Sequence, residues 1–224
     1  MAIRCVMWDC FNVLVPFDTP KFFNFLRMYR GNNRLPEDVF TGPGLELIRN
    51  HDLGRMSNEE FFNGIKKLYR LSNRITPELF FTWLGYILRP DLEMLAIRDG
   101  LRKRGVATVL VSNMNSFHFG YLKKHFPSFI NGYDYRLVSC EEGIAKPNPE
   151  AWIRPLDILG LRAEECIFID DSLPNVEAAC RLGIKGWYYN STDKNWCSTG
   201  KREQERRKLR HFLDLLWNEG IMRP

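Results

Sequence analysis

The chain has 224 residues, of which 45% are hydrophobic and 26% are charged, and its net charge is +5. This length suits a single α/β domain or a core domain that carries a smaller insertion. No apolar run approaches the roughly 20 residues that cross a bilayer, and no signal-peptide pattern opens the sequence. We therefore expect a cytoplasmic protein with no membrane partner.

Four short runs typical of buried strands follow one another along the chain, with a weaker fifth after them. They are IRCVMW (3–8), VATVLVS (106–112), YRLVSC (135–140), CIFID (166–170) and GWYYN (186–190). Helical patterns lie between them at 91–104, 116–125, 149–160 and 174–182. This alternation favours parallel strands joined by right-handed crossovers. The sequence predicts an α/β fold whose core is a doubly wound, Rossmann-like parallel sheet.

The segment between the first two strands is far too long for a crossover. Residues 16–88 contain helical patterns rich in phenylalanine and leucine and no clear strand. Ser57 and Glu60 have the spacing of a capping box at the start of one of these helices. We predict that residues 16–88 form an α-helical cap domain, inserted into a discontinuous core of residues 1–15 and 89–224.

A final helix of about 18 residues is predicted near the end of the chain. Its apolar residues recur at helical spacing and predict docking on the core: Leu209, Phe212, Leu213, Leu216 and Trp217. Its first turns carry basic residues: Lys201, Arg202, Arg206, Arg207, Lys208 and Arg210. Because no aromatic residues interleave them, a solvated face is favoured and no nucleic-acid partner is expected. The oligomeric state stays open.

Polar residues follow four of the apolar runs, at the point where each predicted strand ends. They are Asp9, Ser112, Asn113, Lys146, Asp170 and Asp171. Ligands of a doubly wound sheet bind outside the carboxyl ends of its strands, so these side chains are expected to converge in one crevice.

The predicted crevice suits an anionic substrate held beside a hard cation. Mg²⁺ prefers oxygen ligands, and Asp9, one acid of the Asp170–Asp171 pair and a backbone carbonyl would suffice to hold it. A carboxylate can attack phosphorus to form an acyl phosphate, while metal and lysine neutralise the charge on the phosphoryl oxygens.

With its motifs in this order, the sequence resembles the haloacid dehalogenase superfamily, specifically the branch whose members have a helical cap inserted after the first strand. The motifs that carry the resemblance are VMWDCFNVLV, LVSNMN, SCEEGIAKPNPEAW and CIFIDDSLPNVEAACRLGIKGW, together with GRMSNEEFF in the cap segment. They span most of the chain. Motif LVSNMN is weak alone, whereas four motifs in this order form a specific pattern.

The resemblance implies a role for each residue at the strand ends. Asp9 would be the nucleophile, and Ser112, Asn113 and Lys146 would hold the phosphoryl group. The metal ligands would be Asp9, the backbone carbonyl of Phe11 and the pair Asp170 and Asp171, with Asp171 favoured as the direct ligand. The implied function is a magnesium-dependent phosphatase that acts on a small phosphorylated metabolite.

The sequence departs from the family pattern at position 11. Phosphatases of the superfamily usually carry a second aspartate there as general acid and base, and this chain has Phe11. Asp18 or a polar cap residue could substitute, the leaving group could need no proton, or the protein could bind a phosphorylated ligand with slow or no hydrolysis. A haloacid dehalogenase-type reaction is a further alternative, since those enzymes also lack the second aspartate.

Two further positions bear on the site. Asn12 stands where the family commonly has glycine, and asparagine tolerates a left-handed turn. His118 follows the second strand closely, and helix-start packing is favoured over a role in the site. Most aromatic residues of 16–88 are expected in the core of the cap, with a minority facing the crevice.

Overall fold

The computed structural model describes residues 2–32, 35–191 and 199–224. Its strands are Cys5–Trp8 (β1), Ala107–Ser112 (β2), Tyr135–Val138 (β3), Cys166–Asp170 (β4) and Lys185–Tyr188 (β5). They form one parallel sheet in the order β3-β2-β1-β4-β5. The predicted doubly wound, Rossmann-like α/β core is therefore confirmed.

The helices flank this sheet or precede its second strand. Four lie between β1 and β2: Thr19–Tyr29 (α1), Gly42–Asp52 (α2), Asn58–Tyr69 (α3) and Pro77–Tyr86 (α4). The others are Leu92–Lys103 (α5), Ser116–His125 (α6), Pro127–Ile130 (α7), Ser139–Glu142 (α8), Glu150–Leu159 (α9), Leu173–Arg181 (α10) and Thr199–Asn218 (α11). Short 3₁₀ turns span Pro36–Phe40 and Ala163–Glu165.

The central strand β1 determines where the site lies. Trp8 at its end pairs with Leu110 of β2 on one side and with Ile169 of β4 on the other. The strand order diverges at β1, because β2 and β3 lie on one side of it and β4 and β5 lie on the other. Such a switch point opens a crevice at the carboxyl ends of the strands.

The sheet is buried on both faces because successive side chains of a strand point to opposite sides. Val6 and Trp8 join a hydrophobic cluster that includes Leu209 and Leu213 of α11. Cys5 and Met7 join a second cluster with residues of α9 and α10. The apolar stripe of α11 therefore docks on the core, as predicted.

The basic residues of α11 do not all face solvent, which corrects the prediction for two of them. The side chains of Arg202 and Arg206 are 13% and 14% exposed, and both pair with Asp91 at the start of α5. Arg207, by contrast, is 78% exposed. The difference arises because Arg202 and Arg206 lie on the side of α11 that packs against the core.

The helices between β1 and β2 have a hydrophobic cluster of their own. It contains residues such as Phe22, Phe25, Ile65 and Phe80, which are separate from the clusters on the sheet. The two ends of the segment are adjacent, since Phe17 and Leu88 form an isolated antiparallel bridge. The Ser57–Glu60 capping box is present at the start of α3. These features are consistent with a helical cap, and its boundaries at 16 and 88 stay a prediction.

The third strand is shorter than the sequence predicts. The predicted strand 135–140 ends at Val138, because Ser139 begins α8 and its hydroxyl accepts a hydrogen bond from the Met114 amide at 2.9 Å.

Among the residues that the structure describes, no helix combines the length and apolar character needed to cross a membrane.

Candidate active site

Asp9 lies directly beyond the end of β1, at the switch point of the sheet. Its amide continues the sheet by donating to the Ile169 carbonyl at 2.9 Å, which aligns the ends of β1 and β4. The residue is only 7% exposed. An apolar strand thus delivers a nearly buried carboxylate to the crevice.

Lys146 joins Asp9 to Asp170. Its Nζ donates to Asp9 Oδ1 and to Asp170 Oδ2, each at 2.6 Å, and its side chain is 2% exposed. Burial disfavours the charged ammonium, but the two carboxylates outweigh that effect and raise the pKa of Lys146. The lysine is therefore a permanent cation between two acids.

Asn113 positions the main chain of Lys146. Its Nδ2 donates to the Lys146 carbonyl at 2.9 Å, and its Oδ1 accepts from the Lys146 amide at 2.8 Å. Both ends of the side-chain amide are therefore occupied within the protein. A direct contact of Asn113 with phosphate stays a prediction, whereas its hold on Lys146 is observed.

Asp9, Asp170 and Asp171 bring carboxylate oxygens within 4.8 Å of one another. Burial raises the pKa of Asp9 despite Lys146, and burial together with Asp170 raises the pKa of Asp171 to about 6. One lysine does not balance three clustered acids, so a further cation would be favoured here. The all-oxygen donor set suits a hard divalent ion such as Mg²⁺.

The two acids that follow β4 have different surroundings. Asp170 is fully buried, and it accepts from Lys146, from the Ser172 amide at 2.7 Å and from Asn175 Nδ2. Asp171 accepts from Asn12 Nδ2 at 3.0 Å. Because donors of the protein already surround Asp170, Asp171 is the freer of the two to bind an ion.

Ser112 ends β2 beside the acid cluster. Its hydroxyl is buried and has no hydrogen-bond partner among the residues that the structure describes. A buried hydroxyl without a partner is costly, so this group is suited to pair with an oxygen of a bound ligand.

Ser191 and Arg202 hold the turn after β1, a role that the sequence pattern predicts for neither residue. Asn12 has a φ of 59°, the left-handed conformation expected of this position. Its carbonyl accepts from Ser191 Oγ at 2.8 Å and from Arg202 Nη1 at 2.6 Å, and Arg202 Nη2 donates to the Val13 carbonyl at 2.5 Å. No spacing in the sequence links Arg202 to a turn some 190 residues earlier, so only the fold reveals this contact.

Phe11 opens onto a cavity of about 200 Å³ between the turn and the helices α1 to α4. Its ring meets those of Phe17 and His118 edge to face, with centroids 5.9 and 5.1 Å apart. His118, which sequence reasoning assigned to helix-start packing, lines this cavity. Burial lowers the pKa of His118 to about 3, so its ring is neutral.

Two acids were possible substitutes for the missing aspartate. Asp18 caps α1 through the Lys21 amide, pairs with Lys21 Nζ at 2.7 Å and does not line the cavity. Asp52, at the end of α2, does line it and accepts from Asn115 Nδ2 at 3.2 Å. Burial raises the pKa of Asp52 to about 7, which is typical of a proton-transferring carboxyl.

Two phosphatases have sequences similar to that of this chain. The chain is 29% identical over 195 residues to D-ribitol-5-phosphate phosphatase of Bacteroides thetaiotaomicron, covering 82% of this chain and 90% of that protein. It is 34% identical over 100 residues to the sesquiterpene phosphatase astK of Aspergillus oryzae, covering 44% and 50% of the two proteins. For three of the relatives, one of them the sesquiterpene phosphatase, this chain matches only 17% to 50% of the length of the relative.

A solved structure shares the fold. It is that of a HAD family enzyme, bt-2542 of Bacteroides thetaiotaomicron, in complex with magnesium and inorganic phosphate. The TM-score is 0.71 at 23% identity, with 83% of this chain and 93% of that chain covered. The profile of the haloacid dehalogenase-like hydrolases matches residues 3–183. With the motifs, the sheet order and this match in agreement, the chain belongs to the haloacid dehalogenase-like hydrolase family.

Proposed function

We propose that this hydrolase is a magnesium-dependent phosphatase that acts on a small phosphorylated metabolite through an aspartyl phosphate on Asp9. The observation that carries the proposal is the Lys146 ammonium, which bridges Asp9 and Asp170 within a cluster of three acids at the central strand. The phosphatases among the relatives support the same reaction.

Asp9 is the proposed nucleophile. One of its carboxylate oxygens forms a bond to phosphorus while the bond from phosphorus to the alcohol oxygen breaks, and the alcohol leaves with a proton. Water then attacks the same phosphorus atom while the bond from phosphorus to the Asp9 oxygen breaks, which releases phosphate and restores the Asp9 carboxylate. One proton of the water passes to the group that protonated the alcohol. Lys146 orients Asp9 through Oδ1 and offsets negative charge in both steps.

The remaining groups have proposed supporting roles. Ser112 donates its unpartnered hydroxyl to a phosphoryl oxygen. Asp9, Asp171 and the Phe11 carbonyl are the proposed ligands of Mg²⁺, with Asp170 held back by its protein donors. When bound, Mg²⁺ would neutralise charge on the phosphoryl oxygens and on the acid cluster.

The proton for the leaving alcohol needs a source other than position 11. Within the part of the chain that the structure describes, Asp52 is the one carboxyl group that lines the cavity beside Phe11. With a pKa of about 7 it carries a proton over part of the neutral range. We assign Asp52 as the candidate general acid, supplied by the proposed cap at 16–88.

The test is phosphate release from a panel of phosphate monoesters, with Mg²⁺ or with a chelator. We expect turnover with Mg²⁺ alone and a loss of at least about 10³-fold in Asp9→Asn, which keeps the shape of the side chain but removes the nucleophile. Halide release from 2-haloacids in chelator would instead indicate a dehalogenase. Tight phosphate binding without any turnover above Asp9→Asn would indicate a binding protein.

A further inference from the structure

The cavity beside Phe11 is lined by chain neighbours of the proposed phosphoryl site, although Asp9, Ser112, Lys146 and the two acids after β4 do not line it themselves. Phe11, Asn12 and Asn113 line it, and each of these residues follows a strand that ends at the acid cluster. The opposite walls come from the helices between β1 and β2, including Phe22, Phe61, Ile65 and Leu84. A phosphate ester bound at Asp9 would therefore extend its leaving group toward this cavity.

The cavity lacks positive charge. Among its described lining residues there is no lysine or arginine, and the one carboxyl group is that of Asp52. Burial lowers the pKa of His51 and of His118, so both imidazoles are neutral near pH 7. A leaving group with a second phosphate or a carboxylate would find no cation here and would meet a carboxyl group.

Most polar groups of the cavity are already paired within the protein. The Asn12 amide binds Asp171 and the Phe17 amide, and the Asn113 amide binds both polar groups of the Lys146 main chain. The Asn115 amide bonds Asp52 and His118. A leaving group rich in hydroxyls would lose its hydration and find few partners, which is unfavourable.

Two ring nitrogens have no hydrogen-bond partner, and together they provide one donor and one acceptor to a bound leaving group. His118 accepts from Asn115 at Nδ1, so its proton is on Nε2, which has no partner. His51 contacts Asn58 Oδ1 through Nε2, which leaves Nδ1 without a partner as an acceptor. One donor and one acceptor could serve a single oxygen atom each and would not satisfy a polyol.

We propose that this cavity is the leaving-group subsite and that it selects phosphate monoesters of apolar, hydrocarbon-rich alcohols, with Phe11 as a specificity-determining wall. The inference rests on the proposed phosphatase function. A cavity of about 200 Å³ has room for a short hydrocarbon chain.

The experiment compares n-alkyl phosphates of increasing chain length with polyol phosphates of matched size. Burying each methylene should raise kcat/KM about fourfold until the cavity is full, after which the rise should stop. A polyol phosphate should fall well below the alkyl ester of equal size. Equal rates for the two series, or a preference for polyols, would overturn the inference while leaving the phosphatase function intact.

A pair of variants tests whether this cavity is the one responsible. Ile48 lines it from α2, whereas Leu79 packs on the same hydrophobic cluster without lining it. Ile48→Phe should lower kcat/KM for the longest esters by at least about fourfold, the value of one methylene, and spare the shortest. Leu79→Phe should leave the chain-length dependence unchanged. The same loss in both variants would contradict the assignment.

Binding separates this inference from the proposed function. Alkylphosphonates cannot be hydrolysed, so their affinity in the presence of Mg²⁺ is measurable by calorimetry even if no ester turns over. Affinity that increases with chain length supports the apolar subsite, and affinity that does not change with chain length overturns it. Absence of ester turnover, by itself, would contradict only the phosphatase proposal.

Discussion

The acid cluster and the cavity beside Phe11 are neighbours with opposite chemistry. In the cluster, three carboxylates and Lys146 face one another, and the Ser112 hydroxyl is left without a partner. In the cavity, aromatic and aliphatic side chains form the walls and the amides are already paired. Under the proposed function, the acid cluster would hold the phosphoryl group common to all substrates, and the cavity would discriminate among the groups attached to it.

Lys146 is the residue on which the cluster depends most. Lys146→Met keeps the length of the side chain but leaves Asp9 and Asp170 buried without their cation, which should lower the free energy of unfolding by about 3 to 5 kcal/mol. Denaturant unfolding in the presence of a chelator measures this effect. The exposed Lys124→Met is the control and should stay within about 0.5 kcal/mol of wild type. An unchanged Lys146→Met would show that the cluster does not need the lysine for stability.

Arg202 holds the turn that separates the two regions. Arg202→Ala removes donors from the carbonyls of Asn12 and Val13 and from Asp91, so the free energy of unfolding should fall by about 3 kcal/mol. Arg207→Ala is the matched change at an exposed position of the same helix, with little expected effect. Comparable unfolding midpoints for the two variants would argue that the turn holds its shape without Arg202.

Phe11→Asp exchanges a wall of the cavity for the aspartate that the family pattern has at this position. General acid and base catalysis contributes about 10²- to 10⁴-fold, so in an Asp52→Asn background, where the proposed acid is missing, we expect Phe11→Asp to raise phosphate release at least about tenfold. The preference for alkyl over polyol phosphates should shrink at the same time, because the ring contacts of Phe11 with Phe17 and His118 are lost. Kinetics on both ester series measure the two effects. No gain in the Asp52→Asn background would show that an aspartate at position 11 does not transfer the proton.

Asp52 should make stability depend on pH. Its pKa is about 7 in the folded chain and 3.8 ordinarily, so its contribution is present below about pH 4 and is lost as the pH rises through 7. Asp52→Asn removes this loss and should be more stable than wild type at pH 8 by about 1 to 4 kcal/mol, with no difference near pH 4. Unfolding curves across this range provide the measurement. Parallel pH profiles for wild type and Asp52→Asn would contradict the raised pKa.

Several parts of the architecture follow from local pattern. The apolar runs at 3–8, 106–112 and 166–170 are strands within a residue or two of the predicted bounds, since a buried parallel strand has to be apolar on both faces. The run at 135–140 was predicted too long, because the Ser139 hydroxyl bonds the Met114 amide and begins a helix there. Such a contact depends on a residue from another strand end and leaves no local signature.

The prediction for the last helix shows the same limit. Its apolar stripe was recognised from helical spacing, and Leu209 and Leu213 are indeed buried. The basic residues of its first turns could not be sorted by spacing, because Arg202 and Arg206 find their partner at Asp91, more than 100 residues earlier. Whether a charged side chain is solvated or paired depends on the element that packs against it. The residue pattern of a single helix does not show which element that is.

The sequence by itself determined the sheet and the meeting of Asp9, Lys146 and Asp170, because parallel strands that begin apolar and end polar bring their last residues to one edge. Only the tertiary structure decided which polar groups of that edge remain available. Asn113 is occupied by Lys146, Asp170 is surrounded by donors, and Arg202 holds the turn after β1. The cavity beside Phe11 also belongs to the tertiary structure, since helical periodicity marks which side of a helix is apolar but not where two apolar sides leave a space between them.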